Sequence, residues 1–142
     1  MRPTLNVWCW IALGCLITAG TAVAKNEVVV IANPETPTVT ENMVQKVFLG
    51  KIVEVNGAAV IPVNLVVNAP ARQVFMTHVM GDGEEKYTSY WTVRRYIGKG
   101  APPREFSSAQ DLIDYIRDTP GAIGYVNVDV PTGALKVLFK RP

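Results

Sequence analysis

Arg72 follows Asn68 by four residues in the stretch Leu65-Val-Val-Asn-Ala-Pro-Ala-Arg72. This stretch leaves an apolar run and enters a helical pattern. A helix start presents free backbone amides and a partial positive charge, which suit an oxyanion. Arg72 falls in the first turn, where its planar fork can meet an anion held over that helix start. Pro70 removes one amide donor but is tolerated in a first turn. The residues expected to frame such a site are Asn68, Ala69, Ala71 and Arg72. In the plainer alternative, Asn68 is only a cap and Arg72 a solvated side chain.

A second group is basic. Arg94, Arg95, Lys99 and Arg104 lie close in sequence, with Trp91 and Tyr96 among them. Such a cluster can hold an acidic partner or a carboxylate ligand. It can equally be an ordinary surface, with Arg94 laying its methylenes over the helix stripe.

The remaining polar residues argue against catalysis. His78 is the one histidine. It has no carboxylate at a ligand spacing and reads as a core or boundary residue, so no metal site is expected. Glu84, Glu85, Asp111, Asp114 and Asp118 sit near helix starts or on polar helix faces and read as solvated. Ser107 and Ser108 lack a base in any motif, and Gly-x-Ser-x-Gly is absent. Gly98-Lys-Gly100 is too short for a phosphate-binding loop. No catalytic residue and no cofactor are expected.

The elements that would position these groups alternate between strand and helix. Val28 to Ala32 is a buried β-branched run. Thr40 caps a helix over about 41–49, with Met43, Val44, Val47 and Phe48 as its apolar stripe and Gly50 ending it. Asn56-Gly57 is a turn. Val60 to Val67 is a second strand, whose Pro62 must face an edge or a strand end. A helix follows, capped by Asn68, with Ala71, Val74, Phe75, His78 and Val79 on one face. Gly81-Asp-Gly83 opens another over about 84–95, with Tyr87, Tyr90, Trp91 and Arg94 at helical spacing. Ser107-x-x-Gln110 reads as a capping box for a helix that buries Ala109, Leu112, Ile113 and Ile116. Ala122 to Val128 is a third strand. Leu135, Val137 and Phe139 alternate along a half-exposed edge strand. The pattern predicts an α/β layer structure without a second domain.

Residues 1–24 are set apart from this pattern. Arg2, the apolar run Val7 to Thr18 and Ala22-Val-Ala24 read as a cleaved signal peptide, which leaves residues 25–142 as one exported domain. Lipid anchoring at Cys15 is the lesser alternative. Both cysteines, Cys9 and Cys15, fall inside this segment, so no disulfide is expected in residues 25–142. From residue 25 onward, thirteen Lys and Arg face twelve Asp and Glu. That balance gives no reason to expect nucleic acid or an anionic membrane as partner. No later apolar run is long enough to span a bilayer.

Two further stretches are more distinctive: Phe48-Leu-Gly-Lys51 and Thr119-Pro-Gly-Ala-Ile-Gly-Tyr-Val126. Their order, with the strand-to-helix passage at 65–72 between them, resembles the phosphate-binding receptors of bacterial ABC importers, most of all short single-lobe relatives. Trp91 and the Gly98-Lys-Gly100…Pro102-Pro-Arg104 loop fit that shorter pattern. The resemblance implies one lobe of a periplasmic-binding-protein type II fold, a mixed sheet flanked by helices. It implies phosphate or another small oxyanion at the helix start near 68–72. Ala69 falls where the family has Ser, and Leu65 where it has Arg. A second reading follows from these apolar replacements: a periplasmic interaction module that kept the fold and lost the ligand. Either way, a lone lobe leaves its cleft half open. A homodimer mate or an envelope protein is the expected partner to complete it.

Overall fold

A computed structural model describes residues 26–142. The expected signal segment and Cys15 lie outside the described residues. The elements in chain order are β1 (Val28–Ala32), α1 (Glu41–Phe48), β2 (Glu54–Val55), β3 (Ala58–Ala59), β4 (Ile61–Leu65), α2 (Pro70–Val74), a π-helical turn (Phe75–Val79), α3 (Gly83–Tyr96), β5 (Arg104–Phe106), α4 (Ala109–Asp118), β6 (Ala122–Asn127) and β7 (Lys136–Arg141). Five strands form one mixed sheet in the order β5-β4-β6-β1-β7, and β2 and β3 form a separate hairpin.

The strand β4 runs parallel to both β5 and β6. The strand β1 is antiparallel to β6 and to β7. All five residues of β1 are buried, as a strand covered on both faces requires. The helix α4 packs on one face of the sheet, while α1 and the α2–π segment pack on the other. Alternation along β6 shows the two faces. Gly124 faces Leu112 and Ile116 of α4, while Tyr125 stacks on Phe75 with ring centroids 3.9 Å apart and touches Phe48. Phe48, Phe75 and Tyr125 are fully buried. Each such side chain contributes roughly 1.5–3 kcal/mol by burial.

Local chemistry accounts for most boundaries. Thr40 accepts a hydrogen bond from the Met43 amide and caps α1. Asn56 and Gly57 join β2 to β3 as the sequence suggests. Pro62 lies in β4 but just before β5 pairing begins at Val63↔Arg104. The Ile61 amide bonds to the Gly121 carbonyl on the β6 side, so the proline nitrogen faces the side not yet paired.

Several expectations shift. The second strand ends at Leu65 rather than Val67, because residues 66–69 close a turn through the Ala69 amide and the Val66 carbonyl. Ala69, not Asn68, then occupies the N-cap, without a side-chain cap bond. Pro70 at the first helical position fixes that choice, since its preset φ begins the helix there. The π turn, closed by the Met80 amide on the Phe75 carbonyl, takes in about one extra residue. The buried stripe of the two segments runs over Ala71, Arg72, Phe75, Met76 and Val79. His78 therefore points outward and is exposed, not a core or boundary residue. Ser108, not Ser107, caps α4 by accepting from the Asp111 amide. Ala109 is only half-buried. A register shift opposite Val30 and Ile31 passes over Leu138 in β7. It breaks the alternation and leaves Val137 exposed. The short edge strand β5 has no signal in its own sequence.

Pro120-Gly121-Ala-Ile-Gly124 is built for close approach. Gly121 has φ +88°, and a Cβ there would lie 2.1 Å from the Ala59 carbonyl oxygen. A Cβ on Gly124 would lie 2.8 Å from Ile116 Cδ1 and 3.0 Å from Leu112 Cδ2. Gly121→Ala is expected to destabilise the fold by about 3 kcal/mol or more, since both backbone conformation and space are wrong. Gly124→Ala should cost about 1–3 kcal/mol by overpacking. Urea unfolding followed by circular dichroism measures both, and a loss below about 0.5 kcal/mol for Gly121→Ala contradicts this packing.

Candidate functional site

Arg72 is the most constrained charge among the described residues. It is 3% exposed. Its Nε donates to Glu84 Oε2 at 2.8 Å and its Nη2 to Glu84 Oε1 at 2.7 Å. Its Nη1 donates to the Leu65 carbonyl at 2.7 Å and to Glu105 Oε1 at 2.6 Å. Four of the five guanidinium N–H groups are thus engaged. Burial pulls the Arg72 pKa down, but the hydrogen bonds it donates to Glu84 and Glu105 outweigh it, and the net direction is upward. The two carboxylates come from distant positions: Glu84 from the start of α3 and Glu105 from the edge strand β5.

The arginine belongs to a wider buried polar chain. Tyr125 Oη accepts from the Leu65 amide at 3.3 Å and donates to Asn64 Oδ1 at 2.9 Å. Asn64 Nδ2 donates to Tyr87 Oη at 3.2 Å, and Tyr87 donates to the Phe48 carbonyl at 3.1 Å. Trp91 Nε1 donates to the same carbonyl at 3.3 Å. The Arg72 guanidinium lies 5.9 Å from the Tyr87 ring centroid. Burial raises the Tyr87 pKa to about 12 and raises that of Tyr125 as well.

A cavity of about 250 Å³ opens between α3 and β5 beside this arginine. Tyr87, Trp91, Val67 and Pro102 form its apolar walls, and Thr88, Thr92, Arg95 and Glu105 its polar ones. Arg95 is exposed. A second cavity of about 300 Å³ lies on the other side of Trp91, where Gly50, Ile52, Val60, Pro103 and Arg104 line it. Gly50 has φ +67°, and a Cβ there would lie 2.8 Å from Trp91 Cη2. The motif Phe48-Leu-Gly50 therefore seats the indole: the Phe48 carbonyl takes its N–H, and Gly50 makes room for its ring.

The sequence-derived site residues separate. Asn68 is exposed and does not cap the helix. Ala69 is half-buried at the cap, and Ala71 is buried in the core. Arg72 faces inward onto Glu84 and Glu105 rather than outward as a solvated side chain. Leu65 is 4% exposed, so it does not form an apolar surface patch with Ala69. The basic group divides as well. Arg94 lies over the Tyr90 and Trp91 rings, donates to the Lys99 carbonyl, and keeps a buried Nε without a partner. Arg95 faces the first cavity, while Arg104 lies over Phe106 and Tyr115. Lys99 and Tyr96 are exposed. Glu84 is an ion-pair partner and not merely solvated. Glu105 carried no signal in the sequence. A buried arginine demands carboxylates, but nothing local tells that Arg72 is buried.

The fold is that of a periplasmic-binding-protein-like α/β structure. A crystal structure of an ABC-type phosphate transport receptor from Vibrio cholerae is similar to it, with a TM-score of 0.54 and 12% identity. The match covers 78% of this chain and 44% of the receptor, so the chain spans less than half of that protein's length. No protein-family model matches the chain, and no curated protein matches it. No helix among the described residues is long and apolar enough to cross a membrane.

Removing the guanidinium leaves two partly exposed carboxylates without their partner. Arg72→Ala is expected to cost about 2–3 kcal/mol in urea unfolding, the range for losing buried charge-assisted hydrogen bonds. A loss under 1 kcal/mol contradicts the arrangement. Alkaline stability follows from the tyrosines. The folded Tyr87 holds its proton to about pH 12, whereas the unfolded residue releases it near pH 10. Between those values the folded state binds more protons, so stability falls as pH rises. The expected loss between pH 9.5 and 12 is on the order of 2 kcal/mol from Tyr87, and Tyr87→Phe should flatten that slope.

Proposed function

We propose that the protein is a periplasmic solute-binding-like module. In this reading it corresponds to one lobe of the phosphate-receptor architecture and binds a small oxyanion, phosphate by analogy, near residues 68–72. The cavity between α3 and β5 is the observation that carries the reading: Arg72 stands at its inner wall and Arg95 at its exposed one. The likeness of fold to a transport receptor supports a binding role rather than an enzymatic one. An open cleft beside a single lobe leaves the ligand partly in water, where each hydrogen bond competes with solvent. Affinity in the millimolar range follows, unless a homodimer mate or an envelope protein closes over the site.

The engagement of Arg72 by Glu84 and Glu105 favours a second reading, an interaction module that has kept the fold and lost its ligand. In that reading Arg94, Arg95, Lys99 and Arg104 are candidates for contact with an acidic partner. The export signal at 1–24 serves both readings. Mass spectrometry of the exported protein is expected to find Lys25 at its N-terminus.

Trp91 is the only tryptophan after residue 24 and lies on the cavity wall, so its emission reports the site in the mature protein. Titration with phosphate, sulfate and acetate is expected to give a saturable change, with a Kd in the millimolar range or tighter. A flat response to all three at about 10 mM, together with capture of a defined envelope partner, supports the second reading.

A further inference from the structure

We infer that the cavity beside Arg72 takes a carboxylate attached to an apolar or aromatic body, and that this carboxylate exchanges with the one on Glu105. The inference rests on the solute-binding reading and narrows its ligand class.

The argument begins with the two glutamates, which are held unequally. Glu84 meets Arg72 through both of its oxygens and also accepts from the Thr88 hydroxyl at 3.0 Å. Its side chain is 24% exposed. Glu105 meets Arg72 through one oxygen at 2.6 Å, and its side chain is 42% exposed. It stands on β5, a three-residue edge strand. Glu84 is the fixed counter-ion, and Glu105 is the partner that can swing into water at lower cost.

Charge then selects the incoming group. Arg72 and Glu84 neutralise each other, and the one negative charge of Glu105 is balanced across the cavity by the exposed Arg95. Replacing the Glu105 carboxylate with another monoanionic carboxylate leaves that balance unchanged. A phosphate dianion would add a further negative charge beside Glu84 in a partly dry site, where like charges repel strongly. The occupied geometry already shows that a planar carboxylate fits the Arg72 Nη1 position.

The walls select the rest of the ligand. Tyr87, Trp91, Val67 and Pro102 give the cavity two rings and two aliphatic surfaces. An aromatic body can lie against these rings in offset or edge-on contact. Thr88, Thr92 and Arg95 complete the polar rim. Acetate offers the exchanging group without the body, phosphate offers charge without the shape, and benzoate offers both.

Calorimetry on the purified protein with benzoate, acetate and phosphate tests the inference, with Glu105→Gln alongside the unaltered chain. Benzoate is expected to bind about tenfold more tightly than acetate or phosphate. Glu105→Gln is expected to raise benzoate affinity about tenfold by removing the competing charge, with circular dichroism unchanged. Phosphate binding that is tighter than benzoate binding overturns the carboxylate class and leaves the solute-binding reading standing. Benzoate affinity unchanged in Glu105→Gln overturns the exchange. Absence of binding by all three anions to both proteins overturns the solute-binding reading itself. The comparison of anions on the unaltered chain decides the ligand class even if the variant fails to fold.

Discussion

One guanidinium holds the edge of this fold together. Arg72 leaves the first turn of α2, turns inward, and ties the end of β4 to α3 and β5. It does so with hydrogen bonds to the Leu65 carbonyl, Glu84 and Glu105. The edge strand β5 has only three residues, and beyond the ladder to β4 it is attached by Phe106, which packs on Tyr115 of α4, and by the Glu105 bond to Arg72. An uncompensated charge at 3% exposure is not tolerable in a domain of ordinary stability. Glu84, which meets the guanidinium through both oxygens, is therefore as much a condition of folding as the aromatic core beneath it.

The same constraint limits function. A helix start with an arginine nearby offers an anion two donors: the free amides and the fork. Here Pro70 deletes an amide, and internal carboxylates occupy most of the fork. What remains accessible is the Nη1 side of the guanidinium, through Glu105, and the exposed Arg95 across the cavity. The distinctive motifs support this scaffold. Gly50 admits the Trp91 ring, Gly121 lets the chain pass the Ala59 carbonyl, and Gly124 lets α4 approach the sheet. Tyr125 stitches β6 to β4 through Asn64 and the Leu65 amide.

Much of the fold was legible along the chain. The buried run at β1, the Thr40 cap, the Asn56-Gly57 turn and the strand after Gly121 each follow from local chemistry, and their order implied the layered α/β arrangement. The misplaced residues have separate causes. His78 lies in the π turn at Phe75–Val79, which is invisible to a 3.6-residue period, and it is exposed. The edge strand β5 is too short and too charged to announce itself, so Glu105 went unnoticed. Glu84 looked like an acidic residue at a helix start, which it also is. Whether such a residue is solvated or locked to a buried arginine depends on tertiary contacts 12 and 33 residues apart in sequence, and no window of local sequence contains them.

The most direct test of this account is a double-mutant cycle between Arg72 and Glu84 by urea unfolding, with alanine at each position alone and at both. A desolvated, two-point ion pair predicts a coupling energy of about 2 kcal/mol or more. Coupling within about 0.5 kcal/mol of zero, the range of an exposed surface pair, contradicts the claim that Arg72 is a buried pin held from inside.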